Sequence, residues 1–217
     1  MIQVRLALII GLICFSCNQP ESKNTTTVET VVKTDRLPKK DKRLDKDTLT
    51  LAGEKAKLGK LIRRVYEWHE TKSSMDDFEP ITDKKGTSYI AIDKKKLTDR
   101  LNELKATNFF DDSFLKNYNN IALTLDEKLK NKQLEWFVGD MPPFGNDANP
   151  WCNCQDSPEN YWNKLTLTHL TISQDVATFA WTWGDDSAYN VKTIKSNGVW
   201  RIAYLQGFDP KDFIPAN

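Results

Sequence analysis

The chain has 217 residues, 28% of them charged, and a formal net charge of +1 with acids and bases interspersed. That balance leaves no basic stripe beyond one short Lys/Arg-rich stretch at residues 38–46, so charge argues against nucleic acid as a partner. Residues 6–17 form a continuous apolar run, well short of the roughly 20 residues a membrane-spanning helix needs.

Arg5 precedes that run and the small Ser16 sits just ahead of Cys17. The order is that of an export signal: charged region, apolar region, cleavage site. Cys14-Phe15-Ser16-Cys17 resembles the bacterial lipoprotein box, with Cys17 as the acylated first residue of the mature chain and Cys14 in place of the usual aliphatic residue. The resemblance implies residues 1–16 as signal peptide, multi-chain lipid anchoring at Cys17, and a membrane as partner through that lipid. Asn18, where inner-membrane retention uses Asp, favours the outer membrane. The alternative is an ordinary secreted chain cut nearby.

Residues 17–50 are rich in Ser, Thr, Asn, Lys and Asp, a composition that buries too little apolar surface to offset chain entropy and reads as a tether. Some 30 flexible residues reach roughly 30 Å. The bases at 38–46 suit anionic headgroups, but the Asp residues between them favour a solvated linker. Residues 51–217 suit a single domain with a sizeable core.

A first helix is predicted to begin between Thr50 and Glu54, because Leu58, Leu61, Ile62, Val65, Trp68 and His69 fall on one helical face. A loop follows at 75–87. Leu97, Leu101 and Leu104 predict a second helix. Phe109, Phe110, Phe114, Leu115 and Tyr118 predict a third, running towards Leu129. From Gln133 the pattern becomes β-branched and aromatic runs divided by turn residues. Strands are predicted at 134–138, 165–173, 176–184, 189–195 and 199–206, with Ser196-Asn197-Gly198 as a type I′ hairpin turn. Ala177, Phe179, Trp181 and Trp183 alternate with Thr178 and Thr182, and Trp200, Ile202 and Tyr204 repeat the pattern, giving each strand one buried face. Helices first and an antiparallel meander after them describe an α+β domain, N-terminal helices packed on a curved antiparallel sheet.

This layout resembles the nuclear transport factor 2-like fold, a bent sheet forming a cone around a long first helix. Within it the chain is similar to a bacterial lipoprotein family, domain of unknown function 3828. The resemblance spans about residues 58–208 and rests on VYEWHE at 65–70, NFFDDSFLKNY at 108–118, Asn149-Pro150 with Gln155-Asp156, and GVWRI at 198–202. Cys152-Asn153-Cys154 departs from the family pattern. The resemblance implies a cone-shaped fold and no particular activity, and no cofactor is called for.

His69, flanked by Tyr66 and Trp68, points inward, where a cone-shaped fold places its cavity. With a carboxylate beside it, it could serve as a general base in a hydrolase or isomerase. The other reading, and the favoured one, is a core histidine bonded to a backbone carbonyl or water. His169 reads as a half-buried strand residue. No nucleophile-elbow, zincin or phosphate-loop motif occurs. A zinc site from Cys152, Cys154 and both histidines is disfavoured by spacing, and an oxidising compartment favours a disulfide or redox-active pair at Cys152 and Cys154. Those cysteines lie in a long Pro/Gly/Asn/Asp-rich stretch, 139–161, of a length that marks functional or disordered loops. Its Phe144, Trp151 and Tyr161, with Trp162, are either binding anchors or a plug folded back on the core. Tyr66, Trp68, His69, Trp151, His169, Trp181, Trp183 and Trp200 are therefore the pocket candidates. The leading expectation is a tethered envelope lipoprotein whose domain binds an envelope protein or small molecule without catalysis. A pocket enzyme using His69 and an immunity-type inhibitor protein are the alternatives.

Overall fold

The computed structural model describes residues 42–185 and 187–214; Cys17, the predicted signal peptide and most of the predicted tether lie outside them. The element order is α1 (Lys42–Thr71), β1 (Pro80–Thr82), β2 (Tyr89–Ile92), α2 (Lys94–Ala106), α3 (Asp112–Lys130), β3 (Thr166–Ser173), β4 (Val176–Thr182), β5 (Tyr189–Ser196), β6 (Val199–Leu205) and α4 (Pro210–Phe213). The fold class is α+β, with a four-stranded antiparallel sheet in the order β3-β4-β5-β6 and a separate β1–β2 hairpin.

α1 starts at Lys42, earlier than the periodicity indicates. No Pro or Gly stands between Lys42 and Ala52, so nothing in the chain stops the helix from propagating beyond its packed face. That face begins at Leu58 and continues through Ile62, Val65 and Tyr66, all fully buried. α1 packs on β3 and β6, and α3 on β6 and β2. Asp93 and Asp111 cap α2 and α3 by accepting from backbone N–H groups of their first turns.

Several expectations change. Phe109 and Phe110 precede α3: Ile202 N donates to Phe109 O and Asp111 N donates to Ile202 O, at 2.8 Å each. This parallel bridge covers the free edge of β6, which would otherwise expose unpaired backbone. Residues 134–138 do not form a strand of the sheet. Gln133 N and Leu134 N both donate to Lys128 O and close α3, leaving only an isolated bridge from Phe137 to Ser88. The β1–β2 hairpin, which arises within and just after the predicted 75–87 loop, is too short for an alternation pattern to reveal it.

The main sheet follows its pattern until bulges intervene. Ala177, Phe179 and Trp181 are buried, and Asn197 and Gly198, at φ 51° and 76°, supply the two left-handed residues a type I′ turn requires. In β6 the register shifts between the pairs Lys192–Tyr204 and Thr193–Ile202. The extra residue turns Tyr204 off the inner face and buries Leu205 instead. A bulge in β3, with His169 at φ 52°, turns that side chain outward, so His169 is exposed and not half-buried.

α1 is fastened to the far hairpin by Glu54, which accepts from Trp200 Nε1 at 2.6 Å and Lys195 Nζ at 3.1 Å, while Lys57 Nζ binds its other oxygen at 2.8 Å. Hydrogen bonds from Lys57, Trp200 and Lys195 lower its pKa to about 2 against the opposing effect of burial. A carboxylate whose pKa falls on folding stabilises the fold above its unfolded pKa, and that contribution is lost as pH drops towards 2. Glu54→Gln should cost about 1 kcal/mol at pH 7 and lower Tm by about 2–4 °C. Calorimetry should find the deficit shrinking as pH falls below 4.

Candidate functional site

The polar centre of the site is Asp77, in the turn after α1. Its Oδ1 accepts from Tyr118 OH at 2.6 Å and Arg100 Nε at 3.0 Å, and its Oδ2 accepts from Trp151 Nε1 at 2.6 Å. Arg100 is 1% exposed. Its Nη1 donates to Ser73 Oγ at 2.5 Å and Glu103 Oε2 at 2.7 Å, and its Nη2 lies 2.8 Å from Asp77 Oδ1 in ion-pair contact without an aligned hydrogen bond. Burial alone would lower the guanidinium pKa; Asp77 and Glu103 more than reverse this and hold it charged. Burial and the adjacent Asp77 charge raise the Tyr118 pKa, so Tyr118 stays a neutral donor. Phe78, next in the chain, stacks on Tyr118 at 4.5 Å and has a left-handed backbone, φ 54°, a strained conformation for an aromatic residue that surrounding packing must hold.

Trp151 reaches Asp77 from the Cys-containing loop. Cys152 and Cys154 form a disulfide. Within the loop Asn149 N donates to Cys154 O, Cys152 N and Asn153 N donate to Asn149 O, and Trp151 N donates to Asn149 Oδ1. Two further carbonyls meet hydroxyls from the scaffold: Tyr66 OH donates to Trp151 O and Tyr189 OH to Pro150 O, both at 2.6 Å. A loop can be buried only if its backbone polar groups are paired, and here tyrosines do the pairing. Gly207 lies against this turn, where a Cβ would overlap the Pro150 carbonyl, so only glycine fits.

Of the two readings of the long loop, Trp151 and Tyr161 take the plug. Both are 1% exposed. The Trp151 indole stacks on His69 at 4.2 Å and meets Trp68, Phe110 and Phe208 edge-on. Tyr66, Trp68, His69 and Trp151 are therefore brought together. Trp181 joins them by donating to Tyr66 OH at 3.1 Å, with Trp183 beside it at 5.5 Å. Trp200 belongs to the Glu54 fastening and His169 lines a separate recess with Thr178, Asn190 and Lys192.

His69 is poorly placed for proton transfer. The carboxylate beside it, Glu70, has Oε1 3.9 Å from Nε2, beyond hydrogen-bond reach, and that oxygen accepts from Tyr161 OH at 2.9 Å. Among the described residues His69 Nδ1, buried, has no hydrogen-bond partner, so the carbonyl bond expected of a core histidine is not made there. Burial lowers the His69 pKa, and Arg100 adds to this, against the opposing pull of Asp77, Glu70 and Glu103. Among the described residues no group of three or more His, Cys, Asp or Glu is arranged around a metal position.

One opening lies on the other side of the Trp151 loop. A recess of about 420 Å³ is lined by Asp77, Phe78, Met141, Pro142, Phe144, Gly145, Asp147, Ala148, Asn149, Pro150, Gln155 and Phe213. Its size is that of a small-molecule site. Its rim turn, Gly145-Asn146-Asp147, has three successive left-handed residues at φ 77°, 56° and 54°.

Asp77, Arg100, Tyr118 and the recess-lining Phe78 and Phe213 are absent from the sequence-based candidates. Arg100 carried a signal: it shares the face of Leu97 and Leu104 on α2, and an arginine on an apolar stripe marks a buried ion pair. Asp77 had none, being one of several acids in a loop.

Comparison with protein-family models, with curated proteins and with solved structures gives no match.

A histidine kept neutral by burial destabilises the fold once the unfolded chain binds its proton. Stability from His69 is thus complete above about pH 6.5 and falls as pH drops below it. Thermal melts from pH 7.5 to 5 should show Tm decreasing with acidity, and His69→Gln should flatten that slope; an unchanged slope would refute the assignment.

Proposed function

We propose that this chain is a lipid-anchored envelope lipoprotein whose α+β domain, of the nuclear transport factor 2-like type, binds a small ligand and does no chemistry on it. The apolar recess beside Asp77 carries the reading. Three phenylalanine rings, prolines and a methionine line a concave opening, and a few polar groups converge on it from Asp77, Asn149 and Gln155, the composition expected of a ligand pocket. Met141, 69% exposed at the mouth, is an adaptable side chain suited to closing over a guest.

The hydrolase or isomerase reading is weaker. It requires an imidazole with a carboxylate partner facing the reacting group, whereas the His69 ring lies under Trp151 and does not line this recess. Anchoring rests on the Cys14-to-Cys17 box and the polar stretch after it.

Two measurements test the proposal. Mass spectrometry of the chain from a membrane fraction should find Cys17 as the first residue, carrying acyl chains; an unprocessed amino terminus would remove the anchor. Incubation with the small-molecule fraction of an envelope extract should raise Tm. A ligand at 100 times its Kd stabilises by about 2.7 kcal/mol, or roughly 5–10 °C, and Phe144→Ala should abolish the shift. No shift in the wild-type chain would refute the ligand-binding reading.

A further inference from the structure

The recess has a sign as well as a shape. Its charged lining side chains are Asp77 and Asp147, and no Lys, Arg or His is among the residues that line it. The smaller recess adjoining it, which shares Gly145 and Phe213, adds Asp212 and again no cationic side chain.

Asp77 has unused capacity. A carboxylate offers about four acceptor positions. Oδ1 is crowded by Tyr118 and Arg100, but among the described residues Oδ2 accepts only from Trp151 Nε1. Arg100 pairs with both Asp77 at 2.8 Å and Glu103 at 2.7 Å, so the network of one guanidinium and two carboxylates keeps a formal charge of −1. The Arg100 side chain is 2% exposed and lies outside the recess lining. A guest therefore meets two acids in the lining, Asp77 and Asp147.

The walls suit a positive charge too. The Phe78 and Phe144 rings cross at 86°, and Phe213 packs 5.3 Å from Phe78 and 5.4 Å from Phe144. Aromatic rings attract cations through their quadrupoles, and Phe144, half-buried where Phe78 and Phe213 are buried, offers the most accessible of the three. A neutral hydrocarbon would add no second donor to Oδ2 beside the Trp151 indole, and an anion would face two acids.

We infer that the recess selects an organic cation, an apolar body bearing an amine or amidine-type head, with the head at Asp77 Oδ2 and the body against Phe78, Phe144 and Phe213. This inference rests on the ligand-binding reading and adds the charge class of the ligand.

Three probes that share one body separate the two. The full chain in phosphatidylcholine nanodiscs, with empty nanodiscs as the blank, is titrated calorimetrically at pH 7 and low salt with 4-phenylbutylamine, 4-phenylbutanol and 4-phenylbutyrate. The amine should bind at least about 10-fold more tightly than the alcohol, as one added charge-assisted hydrogen bond predicts, and the butyrate most weakly. Asp147→Asn, an exposed rim change remote from the buried network, should reduce the advantage of the amine several-fold with Tm unchanged. Asp77→Asn should remove it where that variant folds. Equal binding of amine and alcohol would overturn the cation preference and leave the apolar pocket standing; tightest binding of the butyrate would overturn its sign. Amine binding that neither Asp147→Asn nor Phe144→Ala alters lies elsewhere and also overturns it. Binding of none of the three would refute both this inference and the pocket for this class of body.

Discussion

The indole N–H of Trp151, held 2.6 Å from Asp77 Oδ2, joins three parts of the chain far apart in sequence: the turn after α1, the buried arginine of α2 and the disulfide-closed loop. Each depends on the others. Arg100 sits where water does not reach, and a buried guanidinium is tolerated only with paired carboxylates, since removing one partner of such a pair costs about 3–5 kcal/mol. Asp77 is that partner, and Tyr118 and Trp151 each donate one further hydrogen bond to it. Losing the indole would remove a large buried side chain, worth about 3–5 kcal/mol by itself, and would also strip a donor from a carboxylate already desolvated.

The same plug closes the interior beside His69 and shapes the recess next to it. In occupying the space beside Trp68, His69 and Phe110, Trp151 fills the interior that a helix-and-sheet domain of this kind could have left as a cavity, and it covers one face of the His69 ring. Tyr66 and Tyr189 hold the backbone of the loop from the scaffold side. Its other side, Asn149, Pro150 and Gln155, is then free to wall the recess. One loop thus closes an inner site and builds an outer one, and the disulfide and the Asn149 hydrogen bonds give it the stiffness for both.

Much of the architecture was legible in the chain because it rests on periodicity. The buried face of α1 and the alternation in β4 follow directly from residue spacing, and Asn197-Gly198 announces its turn. What was hidden depends on events that periodicity does not encode. The bulge in β6 moves Leu205 into the position the alternation gives to Tyr204, and the bulge in β3 turns His169 outward. Residues 134–138 have strand composition, but the closing turn of α3 consumes their first residues. At the site, the aromatic half was visible: Tyr66, Trp68, His69 and Trp151 do meet. The polar half was not, apart from the misplaced charge of Arg100 on its apolar stripe. Pairing Asp77 with residues 23, 41 and 74 positions away is a long-range outcome of folding.

Exchange of the Trp151 indole Nε1 hydrogen with solvent, followed by NMR in deuterated water, tests the central claim most directly. Bound to Asp77 and 1% exposed, that hydrogen should exchange only through global opening, with a rate that tracks overall stability as denaturant is added. Exchange within minutes, at the pace of the half-buried Trp162 and insensitive to global stability, would show that the loop does not plug the core and would contradict the account.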